Sequence, residues 1–188
     1  MIRAGLRYKN IILTTLAFCM ISILAVYGLE LGKGNHVKDP VPGQDEEGNP
    51  FKYYCGWPGE ERSGRTTPHQ GLDVVGRKGG LIYNKNVYPV RDGKVFYSGT
   101  MNGYGKIVII DHGKIGDKGY LTFYSHLKEI DPKIKVDKEV YRKDDNLEES
   151  TKLGTVGDSG CKKYHFHLHY EVQTYDPSNR PQDSTELL

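Results

Sequence analysis

Between Asn86 and Leu127 the chain reads as strand, turn, strand, turn, strand. NVYPV (86–90) stops at Arg91-Asp92-Gly93, and KVFYSG (94–99) runs towards Asn102-Gly103-Tyr104-Gly105. KIVIID (106–111) and GYLTFYSHL (119–127) follow. Short β-branched and aromatic runs, broken by Gly, Asn and Asp, make strands that fold back on one another. The same rhythm holds in GLDVVG (71–76), KVDKEVYRK (135–143), KLGTVGD (152–158) and HFHLHYEV (165–172). DDNLEES (144–150) reads as helix or loop. The expected fold is all-β, a compact and mostly antiparallel sheet or sandwich. The 188 residues suit one domain of ordinary size. A net charge of +2 leaves no nucleic-acid footprint.

The N-terminus is a separate object. Arg3, Arg7 and Lys9 precede an apolar run from Ile11 to Tyr27, softened by Thr14, Thr15 and Ser22. Basic charge followed by an apolar run marks export. Its length falls at the border between a cleaved signal peptide, about 7–15 apolar residues, and a spanning helix, about 17–25. Gly28 offers a cleavage position, but no Ala-x-Ala pattern precedes it. That favours a retained anchor with its basic end in the cytoplasm. Cys19 follows the bulky Phe18 inside the run and reads as a membrane-buried Cys. The expected division is a signal peptide or N-terminal membrane helix at 1–28, a flexible Gly/Pro-rich linker at 29–50, a β domain at 51–175 and a loose polar tail at 176–188. Either reading of the N-terminus exports the domain to the cell envelope, periplasm or exterior.

Three segments carry histidines in informative settings. In HFHLHYE (165–171), His165, His167 and His169 alternate with Phe166, Leu168 and Tyr170. A strand puts every second residue on one face, so the histidines and Glu171 share one face and the apolar residues form the other. Same-face neighbours lie about 6.6 Å apart, which suits one imidazole on a metal and the next just outside, placed to move a proton. HQGLD (69–73) offers His69 and Asp73. In a straight strand these would stand about 13 Å apart, so they can share an ion only if the chain bends, and Gly71 tolerates a bend. In YSHL (124–127), regular alternation groups His126 with Tyr120, Thr122 and Tyr124 on one face. Taken singly, HQGLD is better read as a surface His and an Asp in a turn, and a solvent-exposed polar face accounts for YSHL.

Together the segments resemble the lysostaphin-type (LytM-type) zinc endopeptidases, which cut peptide bonds in bacterial peptidoglycan. The resemblance runs from Thr67 to Val172 through HQGLD, YPVRDGKVFYSG, NGYGKIVIIDHG, YSHL, LGTVGDSG and HLHYEV, in the family's order. It implies a small β domain with one zinc ion in a groove. His69, Asp73 and His169 match the family's zinc ligands, and His167 and His126 its two catalytic histidines. The expected substrate is a stem peptide or cross-link of peptidoglycan. The alternative is a non-catalytic wall-binding or hydrolase-activating module of the same fold. His112, in the DHG turn, matches a structural position.

The chain also departs from the family pattern. His165 is an additional histidine, and Phe166 stands where a Pro is common. Extra residues occur at 77–86, 114–118 and 143–151, where family members wall the groove. GDSGCKKY (157–164) carries Cys161. Cys55 and Cys161 each lie upstream of a matched ligand segment, and in an exported domain the resemblance implies a disulfide between them. Two thiols or additional zinc ligands are the other readings.

Overall fold

The computed structural model describes residues 38–43, 52–62, 67–76, 82–143, 146–161 and 166–187, with the backbone alone at 52–55 and 184–185. The expected N-terminal helix, Cys19 and His165 lie outside these residues, as does the side chain of Cys55 and with it the expected disulfide. Among the described residues no helix is long and apolar enough to cross a membrane.

Among the described residues nine strands form one antiparallel sheet: β1 (Lys52–Cys55), β2 (Leu72–Gly76), β3 (Asn86–Val87), β4 (Gly93–Met101), β5 (Gly105–Ile115), β6 (Lys118–Ile130), β7 (Glu139–Val140), β8 (Gly154–Val156) and β9 (His167–Tyr175). The main order is β1-β2-β9-β6-β5-β4-β7, with β8 on the far end of β6 and β3 on β8. The long β4, β5 and β6 are the β-branched runs of the sequence, joined by tight hairpins. The extra residues at 114–118 are the tip of the β5–β6 hairpin.

One face of the sheet carries Met101, Ile107, Ile109, Leu121 and Phe123, all buried. The register places Phe123 opposite Glu171, and Ser125 opposite His169. Directly paired residues share a face, so this apolar cluster lies beside the histidine face of β9. The other face presents Val74, Val108, Tyr124, Leu168 and Tyr170, also buried. The 88–90 segment meets it there, where the N–H of Val90 donates to the Tyr124 hydroxyl at 2.9 Å.

Two segments expected to be loose carry order. Residues 38–43, assigned to the linker, bond to the segment after β3: the N–H of Lys38 donates to the Val90 carbonyl at 2.8 Å, and that of Tyr88 to the Pro40 carbonyl at 2.9 Å. Val41 is fully buried and Pro40 beside it is buried too, so this short apolar pair recruits the stretch. In the polar tail, Arg180 reaches Asp111 at 2.7 Å. Leu187 packs against the Met101–Phe123 cluster.

β6 changes partner along its length. Gly119–Ser125 pair with β9, and Leu127–Ile130 pair with β8. Against β5 the register slips between Tyr124 and Leu127, which face Val108 and Lys106. β6 thus holds one more residue than β5 there, which is a bulge. His126 sits in it with φ 60°, the left-handed region. That conformation costs a non-glycine residue about 1–2 kcal/mol. Its N–H donates to the Tyr104 carbonyl at 2.9 Å and offsets part of the cost.

Candidate metal centre

The pairing of β2 with β9 sets Asp73 directly opposite His169. His69 precedes β2 and returns to the same spot through the bend at Gly71, where a Cβ would lie 2.6 Å from the Tyr170 carbonyl oxygen and 2.8 Å from His169 Cε1. Only glycine fits that approach. The bend replaces the roughly 13 Å of a straight strand with a contact of 3.2 Å between His69 Nε2 and Asp73 Oδ1. His169 Nδ1 is 2.9 Å from Asp73 Oδ1 and 2.8 Å from His69 Nε2.

Three donor atoms therefore meet at one point. Ligands of a tetrahedral zinc at about 2.0–2.1 Å stand about 3.3 Å apart, so the set needs only a few tenths of an ångström of expansion to take the ion. The tautomer of His169 also fits. Its Nε2–H donates to Glu171 Oε1 at 2.7 Å, which turns the Nδ1 lone pair towards Asp73 and His69. Facing lone pairs repel unless a cation lies between them. Without an ion, burial opposes charge on the His169 ring, but hydrogen bonds from its two nitrogens to Asp73 and Glu171 outweigh burial and raise its pKa. For Asp73, burial alone would raise the pKa. Hydrogen bonds from His169 and His69 and the nearby His167 overcome burial and hold the carboxyl well below the usual range. The chemistry of the donor set and its geometry suit a divalent ion.

His126 joins this cluster against the expected alternation. A regular β6 would turn it to the face of Tyr124, which pairs with Tyr170 and points away from His169. The bulge reverses it. Its ring centroid lies 4.7 Å from that of His167 and 5.6 Å from that of His169. His126 Nδ1–H donates to the Ser159 carbonyl at 2.8 Å, so its Nε2 carries the lone pair. Burial, and then the neighbouring His167, push its pKa down to about 4. His167 is buried with its Nε2 3.8 Å from Asp73 Oδ1. The structure thus brings together His69, Asp73, His126, His167 and His169. His112 stands apart, bonded to Asp92 and Thr122.

Other residues at the site escaped the sequence. Arg62 donates to Asp73 Oδ2 at 2.6 Å and occupies the oxygen that faces away from His169. Nothing in its local sequence, a polar turn, marks it. The ring of Tyr104 stands edge-on to His169, with centroids 5.9 Å apart. Burial, and then Glu171, push its phenol pKa up, so it remains a donor at neutral pH. An aromatic between two glycines in a hairpin turn was a signal that could have been followed. His69 Nδ1 is buried and has no partner among the described residues. A cleft of about 290 Å³ opens over the cluster, with Gln70, Tyr104, Cys161 and Leu187 on its walls.

An antiparallel β sheet thus carries a His-Asp-His donor set beside two further imidazoles. Residues 67–183 match the model of Peptidase family M23, and the chain belongs to that family. A search of curated proteins by sequence finds no match. Among solved structures, a glycyl-glycine endopeptidase LytM homologue from Ruminococcus gnavus is 23% identical, with a TM-score of 0.54 over 76% of this chain and 57% of that one. It shows the shared fold. A zinc-containing peptidase from Vibrio cholerae is 27% identical, with a TM-score of 0.45 over 66% of this chain and 34% of that one. The catalytic domain of lysostaphin from Staphylococcus simulans is 16% identical, with a TM-score of 0.49 over 72% of this chain and 91% of that one. This chain thus spans about a third of the Vibrio protein and little more than half of the Ruminococcus one.

Proposed function

We propose that this protein is a zinc endopeptidase that hydrolyses peptide bonds of bacterial peptidoglycan, exported and held by or released from its N-terminal segment. The observation that carries the reading is the meeting of His69 Nε2, Asp73 Oδ1 and His169 Nδ1 at 2.8–3.2 Å, with His126 and His167 alongside. His69, Asp73 and His169 would hold the zinc. The ion supplies a Lewis acid that brings the pKa of water down towards neutrality.

The chain's own residues do the rest. Arg62 and Glu171 fix Asp73 and His169 in place. His126 keeps a neutral ring with Nε2 ready to accept a proton, because burial holds its pKa low and Ser159 fixes its tautomer. His167, packed against it, is the second imidazole for passing a proton to the leaving amine. Tyr104 remains protonated and offers a hydrogen bond to developing negative charge.

The test uses the full chain. Bound zinc is measured, and release of new amino groups from peptidoglycan is followed with His169→Ala and His126→Ala alongside. Bound zinc with cleavage is expected, the cleavage lost in both variants and the ion held by His69, Asp73 and His169 lost in His169→Ala. Zinc without cleavage of any wall type would turn the reading to a non-catalytic wall-binding module. A chain that takes no zinc would defeat both.

A further inference from the structure

We propose that His126, Cys161 and His167 form a second metal site, for a thiophilic divalent ion such as zinc, and that filling it switches the peptidase off. One ligand atom from each of the three lies within 4.8 Å of the others. The set shares no residue with His69, Asp73 and His169. It adjoins that set, since His167 Nε2 lies 3.8 Å from Asp73 Oδ1.

The donors are held in place by one loop. Ser159 takes the Nδ1–H of His126 on its carbonyl at 2.8 Å, which leaves Nε2 as the ligating atom. An outer hydrogen bond that fixes the tautomer is characteristic of metal-bound imidazoles. The Ser159 hydroxyl accepts from the N–H of Lys106, also at 2.8 Å. That contact pins the loop to the β4–β5 turn at Gly105, where a Cβ would lie 2.1 Å from the Ser159 carbonyl oxygen. Cys161 closes the same turn, its N–H donating to the Asp158 carbonyl at 3.0 Å. Half-buried, Cys161 sits on the wall of the open cleft, within reach of an ion from solvent.

Two imidazoles and a thiolate favour zinc and other borderline-soft ions over magnesium or calcium. Zn–S bonds of about 2.3 Å and Zn–N bonds of about 2.0–2.1 Å bring such donors to within about 4 Å of one another, so a small closure completes the site. As the sulfur–metal bond forms, the thiol proton passes to solvent and no electron changes hands. An imidazole whose lone pair is on a metal accepts no proton. The second ion therefore disables the two groups that move protons in the proposed reaction. That consequence rests on the peptidase reading; the binding site itself does not.

Cobalt titration of the full chain, stripped of metal and kept in reductant, separates the two. The expected result is two equivalents bound, one of them bringing thiolate-to-cobalt charge-transfer absorption. Cys161→Ser should bind one equivalent without that absorption, and His69→Ala should keep it. With zinc, the cleavage rate should rise with the first equivalent and fall by about 100-fold or more with the second. Cys161→Ser should lose the fall. A wild-type chain with no thiolate band, or a Cys161→Ser titration that matches wild type, would overturn the site. A band in a chain that cleaves no wall would leave the site standing and sink the peptidase reading instead.

Discussion

β9 and β6 deliver histidines to the same cluster by opposite means. β9 does so by regularity: His167 and His169 follow strict alternation, and the register against β2 puts His169 across from Asp73. β6 does so by breaking regularity. Its bulge and the left-handed backbone of His126 turn that ring to the face alternation would deny it. A regular strand places side chains on one face at fixed spacing and cannot bring an imidazole in from the next strand at a different angle. A bulge can, at the cost of local strain. The regular strand supplies His169 and His167, and the strained one supplies His126.

Breaking either contribution is expected to show first in catalysis. His126→Ala should lower kcat/KM by about 10²–10⁴-fold while zinc still binds. His169→Ala should remove activity and zinc together. Metal analysis beside the rate assay tells the two apart, and a His126→Ala chain that binds no zinc at all would place that residue among the ligands of the first ion.

The two histidines should also differ in sign with pH in the metal-free protein. The folded pKa of His126 is about 4, below the roughly 6.5 of an unfolded chain. Between those values the unfolded chain binds a proton that the folded one does not, so stability falls as pH drops from about 6.5 to 4. The loss is on the order of 3 kcal/mol. His169 has a raised pKa, so its contribution is fully present below about 6.5 and is lost as pH rises through its folded value. Urea unfolding across pH checks this: His126→Ala should flatten the acid loss. An acid slope equal to wild type in that variant would break the assignment.

A smaller effect is expected at Glu171, which orients the regular strand's ligand. Glu171→Gln should lower zinc affinity by about 10–100-fold, read by competition with a chelator.

What was legible follows the same divide. Strand order along the chain and the two faces of β9 were readable, because period-two alternation records a regular strand directly. The need for a bend at Gly71 was readable too, since distance alone demanded it. The face of His126 was not, because alternation assumes one residue per step and a bulge adds one that no residue type announces. Left-handed backbone is uncommon outside glycine, and nothing in YSHL singles out His126 for it. β1 and residues 38–43 were missed because each is short and held by partners distant in sequence. Arg62 stands eleven positions before Asp73 in the sequence, and their contact is one that only the folded chain defines.

The most direct probe of the divide compares glycine with alanine at each histidine. Both substitutions remove the imidazole, so the difference between them reports the backbone alone. At His126, with φ 60°, alanine keeps the left-handed strain and glycine relieves it. His126→Gly is therefore expected to be more stable than His126→Ala by about 1 kcal/mol. His167 is a regular extended residue paired with Val75, where glycine only adds freedom to the unfolded chain. There the order should reverse, with His167→Gly less stable than His167→Ala by about 0.5–1 kcal/mol. Urea unfolding of the four variants at one pH gives both differences. If both positions ranked in the same order, His126 would not be held in left-handed strain, and its presence in the cluster would need another cause.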